Sequence, residues 1–123
     1  MSGGKPWPTE VRVDRDRRTM TVRFDDGVAH ALPAEMLRVM SPSAEVKGHA
    51  HGQRITVPGK QMVTIAAIEP IGHYAVRLTF DDGHDTGIFS WEYLRRLGDE
   101  RELLWGRYLD ELKSKGLSRQ PAS

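Results

Sequence analysis

Apolar and polar positions alternate with a period of two along the first third of the chain. Val11 and Val13 interleave with Arg12 and Asp14, and Met20, Val22 and Phe24 interleave with Thr21 and Arg23. Such alternation predicts two half-buried antiparallel strands, joined around Asp14 to Arg18. Val28 to Leu32 predicts a brief return strand, and Pro33 suits the first turn of a helix continuing through Val39. The same alternation returns in Val63, Ile65 and Ala67 and in Tyr74, Val76, Leu78 and Phe80, with turn chemistry in Glu69-Pro70-Ile71-Gly72 between them. Near the end, Trp105, Tyr108, Leu109 and Leu112 stand at i, i+3, i+4 and i+7, the apolar stripe of an amphipathic helix. Gly106 weakens that helix by about 1 kcal/mol relative to alanine. Strands followed by helices, without regular βαβ alternation, predict an α+β domain: a small antiparallel sheet of hairpins, short helices and a C-terminal amphipathic helix.

The chain also says nearly the same thing twice. Phe24-Asp25-Asp26-Gly27 leads to Leu32-Pro33-Ala34-Glu35-Met36-Leu37, and Phe80-Asp81-Asp82-Gly83 leads to Phe89-Ser90-Trp91-Glu92-Tyr93-Leu94. Asp-Gly between strand-like runs is a hairpin signal, because glycine supplies the positive φ that the tight turn requires. The second copy adds His84-Asp85-Thr86-Gly87 after its turn, so the repeated part reads as scaffold and the addition as the place for a special function.

The 123 residues suffice for one domain. The organisation expected is a flexible start at 1–8, one domain at 9–115 and a disordered tail at 116–123. Gly48 to Lys60 reads as a surface loop with a short strand at Ile55 to Val57, and Ser41 to Glu45 as a helix break that caps another short helix. A 38% hydrophobic and 28% charged composition describes a soluble globular chain. The net charge of +1 gives no reason to expect nucleic acid or an anionic membrane as partner. The basic run Arg15 to Arg18 reads as a solvated hairpin tip or, alternatively, a contact surface. With no cysteine there is no disulfide framework, thiolate metal site or cysteine nucleophile, and the absence of a secretory signal points to the cytoplasm.

Leu37-Arg38-Val39, Ser41-Pro42-Ser43-Ala44-Glu45-Val46, Ile68 to Val76, Phe80 to Ile88 and Trp91 to Leu94 together resemble the gamma-butyrobetaine hydroxylase-like N-terminal domain family, over about residues 9 to 98. Such domains stand at the front of carnitine-pathway dioxygenases, alone in bacteria, and beside P-loop ATPases of iron–sulfur cluster assembly. The oxygenase chemistry belongs to a separate downstream domain, so the resemblance does not imply a hydroxylase. It implies a zinc site made in the eukaryotic members by a Cys-Pro-Cys-x-x-Cys segment and a histidine. The matching positions here are Ser41, Ser43, Val46 and His84, of which only the histidine can ligate as the motif requires.

The candidate metal residues are therefore His84 with Asp85, joined by His49 and His51, for iron or zinc. His49, His51, His73 and His84 converge only if the loop folds back onto the second Asp-Gly turn. The competing reading of His84 and Asp85 is a hydrogen-bonded turn in a scaffold. Asp81 and Asp82, like Asp25 and Asp26, read as turn geometry rather than acid–base chemistry. Trp91 and Tyr93, at a helix start, are candidate partner-binding residues, with at most one in the core. The function expected is a non-enzymatic accessory module, with a metal and a protein partner such as a P-loop ATPase of iron–sulfur assembly. The alternatives are a purely structural interaction module without metal and an acid–base use of His84 with Asp85.

Overall fold

The computed structural model describes residues 6–42 and 56–121. The element order is β1 (Pro8–Val13), β2 (Thr19–Phe24), β3 (Ala29–Pro33), α1 (Ala34–Val39), β4 (Ile65–Ile71), β5 (Ala75–Phe80), β6 (Gly87–Ser90), α2 (Trp91–Asp99) and α3 (Arg101–Ser114). The strands form two antiparallel three-stranded sheets, β1-β2-β3 and β4-β5-β6, giving the α+β class expected. The expected short helix after Ser41 and the start of the expected strand at Ile55 lie outside the described residues. Thr56 and Val57 belong to no strand.

The sequence repeat is a structural repeat: three strands and a helix, made twice. Each helix begins where its third strand ends, with Pro33 before α1 and Ser90 before α2. Ser90 caps through its hydroxyl, which accepts from the Tyr93 amide at 3.1 Å. Proline has no such group, and Pro33 makes no side-chain cap. The Ala34 amide donates to the Arg18 carbonyl at 2.7 Å, and the Trp91 amide donates to the Tyr74 carbonyl at 3.1 Å. Both helices are thereby tied to the residue just before the central strand of their own sheet.

One core joins the halves. Met20, Val22, Leu32 and Leu37 from the first half pack with Ile65, Leu78, Phe80, Phe89 and Leu94 from the second, all nearly inaccessible. The basic tip crosses between the sheets: the Arg17 carbonyl accepts from the Ile65 amide at 2.8 Å, and its guanidinium reaches the Ala66 carbonyl at 3.2 Å. Arg15 to Arg18 are all exposed, in keeping with the solvated-tip reading.

Two features differ from expectation. The β4–β5 turn falls at Gly72 to Tyr74, because β4 continues through Pro70 and Ile71. Pro70 is tolerated because β4 is an edge strand, where a missing amide donor breaks no ladder on its open side. On α3 the buried residues are Leu104, Tyr108 and Leu112, with Leu109 exposed and Gly106 facing open space. The core-facing stripe is therefore Leu104, Tyr108 and Leu112, with Trp105 half-buried beside it.

The tail is not loose where it is described. Ser118 and Arg119 carbonyls accept from the Gly59 and Gln61 amides at 2.8 and 3.0 Å. Arg119 forms a bidentate pair with Glu35, at 2.9 and 2.7 Å, and lies over the Trp105 ring. Glu35 is only 7% exposed, so the arginine offsets the cost of a carboxylate taken from water. Burial, and then the charge of Glu35, push the nearby Tyr108 phenol up to about 12. The sequence reading missed this pin because its partner lies on α1, far away in the chain. Arg119→Ala should lower stability by about 1–3 kcal/mol in denaturant titrations. Combining it with Glu35→Met should recover part of that loss, since no buried charge is then left alone.

Candidate functional site

The second Asp-Gly turn is built by its own backbone. Gly83 has φ of 92°, its amide donates to the Phe80 carbonyl at 3.0 Å, and the Phe80 amide donates to the His84 carbonyl at 2.9 Å. Asp82 accepts from the His84 amide at 3.0 Å. The first turn repeats each feature: Gly27 has φ of 88°, the Phe24 amide donates to the Val28 carbonyl at 2.8 Å, and Asp26 accepts from the Val28 amide at 3.2 Å. Asp81 and Asp25 also match. Each exchanges two hydrogen bonds with a distant backbone, Asp81 with Thr64 and Asp25 with Trp7. The duplicated aspartates are structural, as the turn reading held.

Each outer aspartate is held by the other half. Asp82 takes Arg38 of α1 at 2.8 Å and Lys60 at 2.6 Å, while Asp26 takes Arg95 of α2 at 2.9 Å. Partial burial pushes the Asp82 carboxyl upward, but hydrogen bonds from Lys60, the His84 amide and Arg38 outweigh it and hold it down at about 2. A carboxyl held that low stays ionised near neutrality and donates no proton there.

Beyond the turn the halves part. His84 Nε2 stands 3.0 Å from Ser41 Oγ, and its ring centroid is 6.2 Å from that of Phe80. Gly87 makes room for the contact, since a Cβ there would lie 2.1 Å from Ser41 Oγ. In the first half the sizes are reversed. His30 occupies the strand position, and Gly98 of α2 admits its ring, which a Cβ on Gly98 would meet at 2.1 Å. His30 Nε2 is paired with Asp99 at 2.8 Å.

The structure thus brings together His84 and Ser41, the histidine and the first cysteine position of the metal motif. Asp85 is exposed, and His73 lies exposed in the β4–β5 turn. Ser43, Val46, His49 and His51 lie outside the described residues. A zinc site of the family's kind does not fit this donor set. A serine hydroxyl stays protonated near neutrality, whereas ligands bind metal deprotonated, and at 3.0 Å the Ser41–His84 contact is a hydrogen bond. Among the described residues no cluster of three or more His, Cys, Asp or Glu is placed to hold a metal ion.

The two aromatic candidates separate. Tyr93 turns inward, with its hydroxyl donating to the Met40 carbonyl and its ring 6.1 Å from Phe89. It is a packing residue and does not line the aromatic groove. Trp91 stays half-buried at the surface, its indole N–H donating to the His73 carbonyl at 2.9 Å. It forms one wall of a hollow of about 260 Å³ with Pro6, Trp7, Tyr74, Ser90 and Glu92. A second hollow of about 320 Å³ adjoins it, again walled by Trp7 and Trp91, and lined by Thr9, Val11 and His73. Trp7 is 51% and Tyr74 58% exposed. The sequence reading missed both. Trp7 fell in a segment read as flexible, yet its amide and carbonyl are both fixed on Asp25, at 3.1 and 2.8 Å. Pro6-Trp7-Pro8, rigid and aromatic, was the available signal.

A duplicated unit of three antiparallel strands and a helix, with an aspartate turn in each copy and a histidine after the second, defines a small α+β domain. The chain belongs to the family described as gamma-butyrobetaine hydroxylase-like, N-terminal, whose model matches residues 11–95. Two proteins with NMR solution structures are similar to it. One is 44% identical with a TM-score of 0.83, covering 98% of this chain and 94% of that one. The other is 43% identical with a TM-score of 0.81, covering 100% and 92%. A crystal structure from Acidithiobacillus ferrooxidans, of a protein with unknown function in the DUF971 family, is 45% identical with a TM-score of 0.62, covering 74% and 91%. No curated protein matches the chain. No helix among the described residues is long and apolar enough to cross a membrane.

Two measurements check this geometry. Gly87→Ala should lower the melting temperature, and adding Ser41→Gly should restore much of the loss, because the clash is with the serine hydroxyl. Asp82 should give the protein an acid limb. Its folded value lies below that of an unfolded aspartate, so its contribution is complete above about pH 4 and fades as the pH falls toward 2. After solvent screening that contribution is about 1–2 kcal/mol. Asp82→Asn should flatten the stability curve over that interval.

Proposed function

We propose that this chain is a non-enzymatic accessory module that works by binding a protein partner through the groove around Trp7, Tyr74 and Trp91. The observation carrying this reading is the groove itself: two largely exposed aromatic rings and a third, half-buried one, on a framework of fixed backbone. Exposed aromatic side chains in a concave setting supply most of the energy of protein interfaces, and prior fixation lowers the ordering cost on binding. By the company its family keeps, the partner is a P-loop ATPase of iron–sulfur cluster assembly, in the cytoplasm. Mixing the purified chain with such an ATPase should give a complex detectable by calorimetry. Tyr74→Ala should weaken it strongly, with the melting temperature unchanged, since Tyr74 is outside the core. Equal binding by wild type and variant would overturn the groove as the docking site.

A second reading, metal binding through His84, is favoured by one observation. Ser41 keeps the first ligand position of the motif beside the histidine, at 3.0 Å. Ser41→Cys replaces a poor ligand with a good one at a position already in contact. Iron or zinc titrations should therefore show tighter uptake by Ser41→Cys than by wild type, and none by Ser41→Cys combined with His84→Ala. No gain in Ser41→Cys would remove the metal reading.

A further inference from the structure

We propose that the partner adds an extended segment as an antiparallel strand along the open edge of β1, with an acidic residue of that segment beside Arg12; this rests on the partner-binding reading above and specifies what is bound. The hydrogen-bonding groups left over at the sheet edges single out this strand.

Among the described residues four strands lie at sheet edges, β1, β3, β4 and β6. Three of them have little to offer a further strand. On β3 the Ala31 carbonyl is taken by the Arg101 guanidinium at 2.9 Å, and Pro33 has no amide. On β4 the Ala66 carbonyl is taken by Arg17 at 3.2 Å, and Pro70 has no amide. β6 is only 4 residues long, and its last residue, Ser90, caps α2. β1 differs. The Asp14 amide donates to the Thr19 carbonyl at 2.9 Å across the β1–β2 hairpin. Alternate residues of a strand turn their backbone groups the same way, so Arg12, opposite Thr21, also turns its amide and carbonyl toward β2. Val11 and Val13 turn theirs outward, and those amides and carbonyls have no partner among the described residues. They recur at the spacing that an added strand supplies.

A hollow of about 320 Å³ runs beside this edge, walled by the consecutive residues Trp7 to Val11 and, across from them, by Gly72, His73 and Trp91. Successive strand residues point to opposite faces, so a hollow touching every residue of such a run follows the edge of the strand and neither face. A segment antiparallel to β1 passes Val13, Arg12 and Val11 in turn and then enters this hollow.

The side chains of β1 say what the segment carries. Val11 and Val13 pack against the core, while Arg12 is exposed on the other face and has no partner among the described residues. Because Arg12 is bonded to β2, it meets an added strand as a non-hydrogen-bonded pair, whose side chains stand closer, and a carboxylate suits that place. Apolar residues suit the places opposite Val11 and Val13, and the next side chain on that face falls between Trp7 and Trp91. The segment therefore reads apolar–acidic–apolar–x–aromatic. A second copy of β1 does not supply it. Self-pairing about Arg12 uses both valines but sets Arg12 against its own equivalent. Self-pairing about Val11 sets Arg12 beside Glu10, which Arg23 already holds at 3.1 Å, and sends Val13 to Thr9, within the register shift between Pro8 and Glu10.

The test is amide hydrogen exchange by NMR on the full chain with a synthetic peptide, Thr-Val-Glu-Val-Thr-Phe-Thr, blocked at both ends. One control has lysine for glutamate, and another is N-methylated at both valines, which removes the amides that donate to Val11 and Val13. The peptide should slow exchange at the Val11 and Val13 amides, roughly threefold when its free concentration is twice the dissociation constant. Arg12→Glu should reverse the preference, favouring the lysine peptide by roughly threefold. No slowing at about 2 mM peptide, or equal binding of the methylated control, would overturn the proposal. Slowing of the same amides that grows with protein concentration alone would put a second copy on the edge and overturn the choice of occupant. If the ATPase binds and Tyr74→Ala weakens it while no peptide protects these amides, the inference fails and the docking reading stands. If neither the ATPase nor the peptide binds, both fail.

Discussion

Two arginine–aspartate contacts hold the domain in its shape, and each crosses from one half to the other. Arg38 on α1 reaches Asp82 in the second turn, and Arg95 on α2 reaches Asp26 in the first. The two arginines hold the same place, the fifth residue of their helices. Neither turn is complete without the opposite helix. Arg95 also pairs with Asp99 of its own helix and Asp82 also takes Lys60, so the crossed contacts tie together two halves that share one apolar core.

This exchange decides what the aspartates can do. Surrounded by cations and backbone amides, they are committed to the charged form and to geometry. Chemical novelty is left to what differs between the copies. On the strand facing the opposite helix, one half has a large residue against a small one, His30 against Gly98. The other has a small residue against a polar pair, Gly87 against Ser41 with His84. The groove of Trp7, Tyr74 and Trp91 is likewise asymmetric, since it draws on residues ahead of β1 and in the β4–β5 turn.

Much of this was legible in the sequence. Period-two alternation placed the strands, and the repeated Asp-Asp-Gly announced the duplication and the role of its aspartates. The matching of Ser41 and His84 to one motif anticipated their contact across the fold. What escaped was mostly non-local. Arg119 finds Glu35 across nearly the whole domain, and no short-range pattern signals a bond of that span. The α3 stripe was displaced because helical spacing alone does not say whether Leu104 or its neighbour Trp105 faces the core. Trp7 was passed over because a segment rich in glycine and proline reads as mobile, whereas its anchor is an aspartate in a turn 18 residues away. Helix-start position alone did not say which of Trp91 and Tyr93 turns inward; it is Tyr93, whose hydroxyl reaches the end of α1.

The crossed arginines also carry a symmetry. When two identical subunits meet about a twofold axis, a residue of one touches a second residue of its mate, and the same touch recurs with the roles reversed. Asp26 with Arg95 and Asp82 with Arg38 have that form within a single chain. The two halves thus meet as the subunits of a twofold pair would, within one chain. A peptide holding the first half alone contains both Asp26 and Arg38, an acceptor and a donor that do not meet each other.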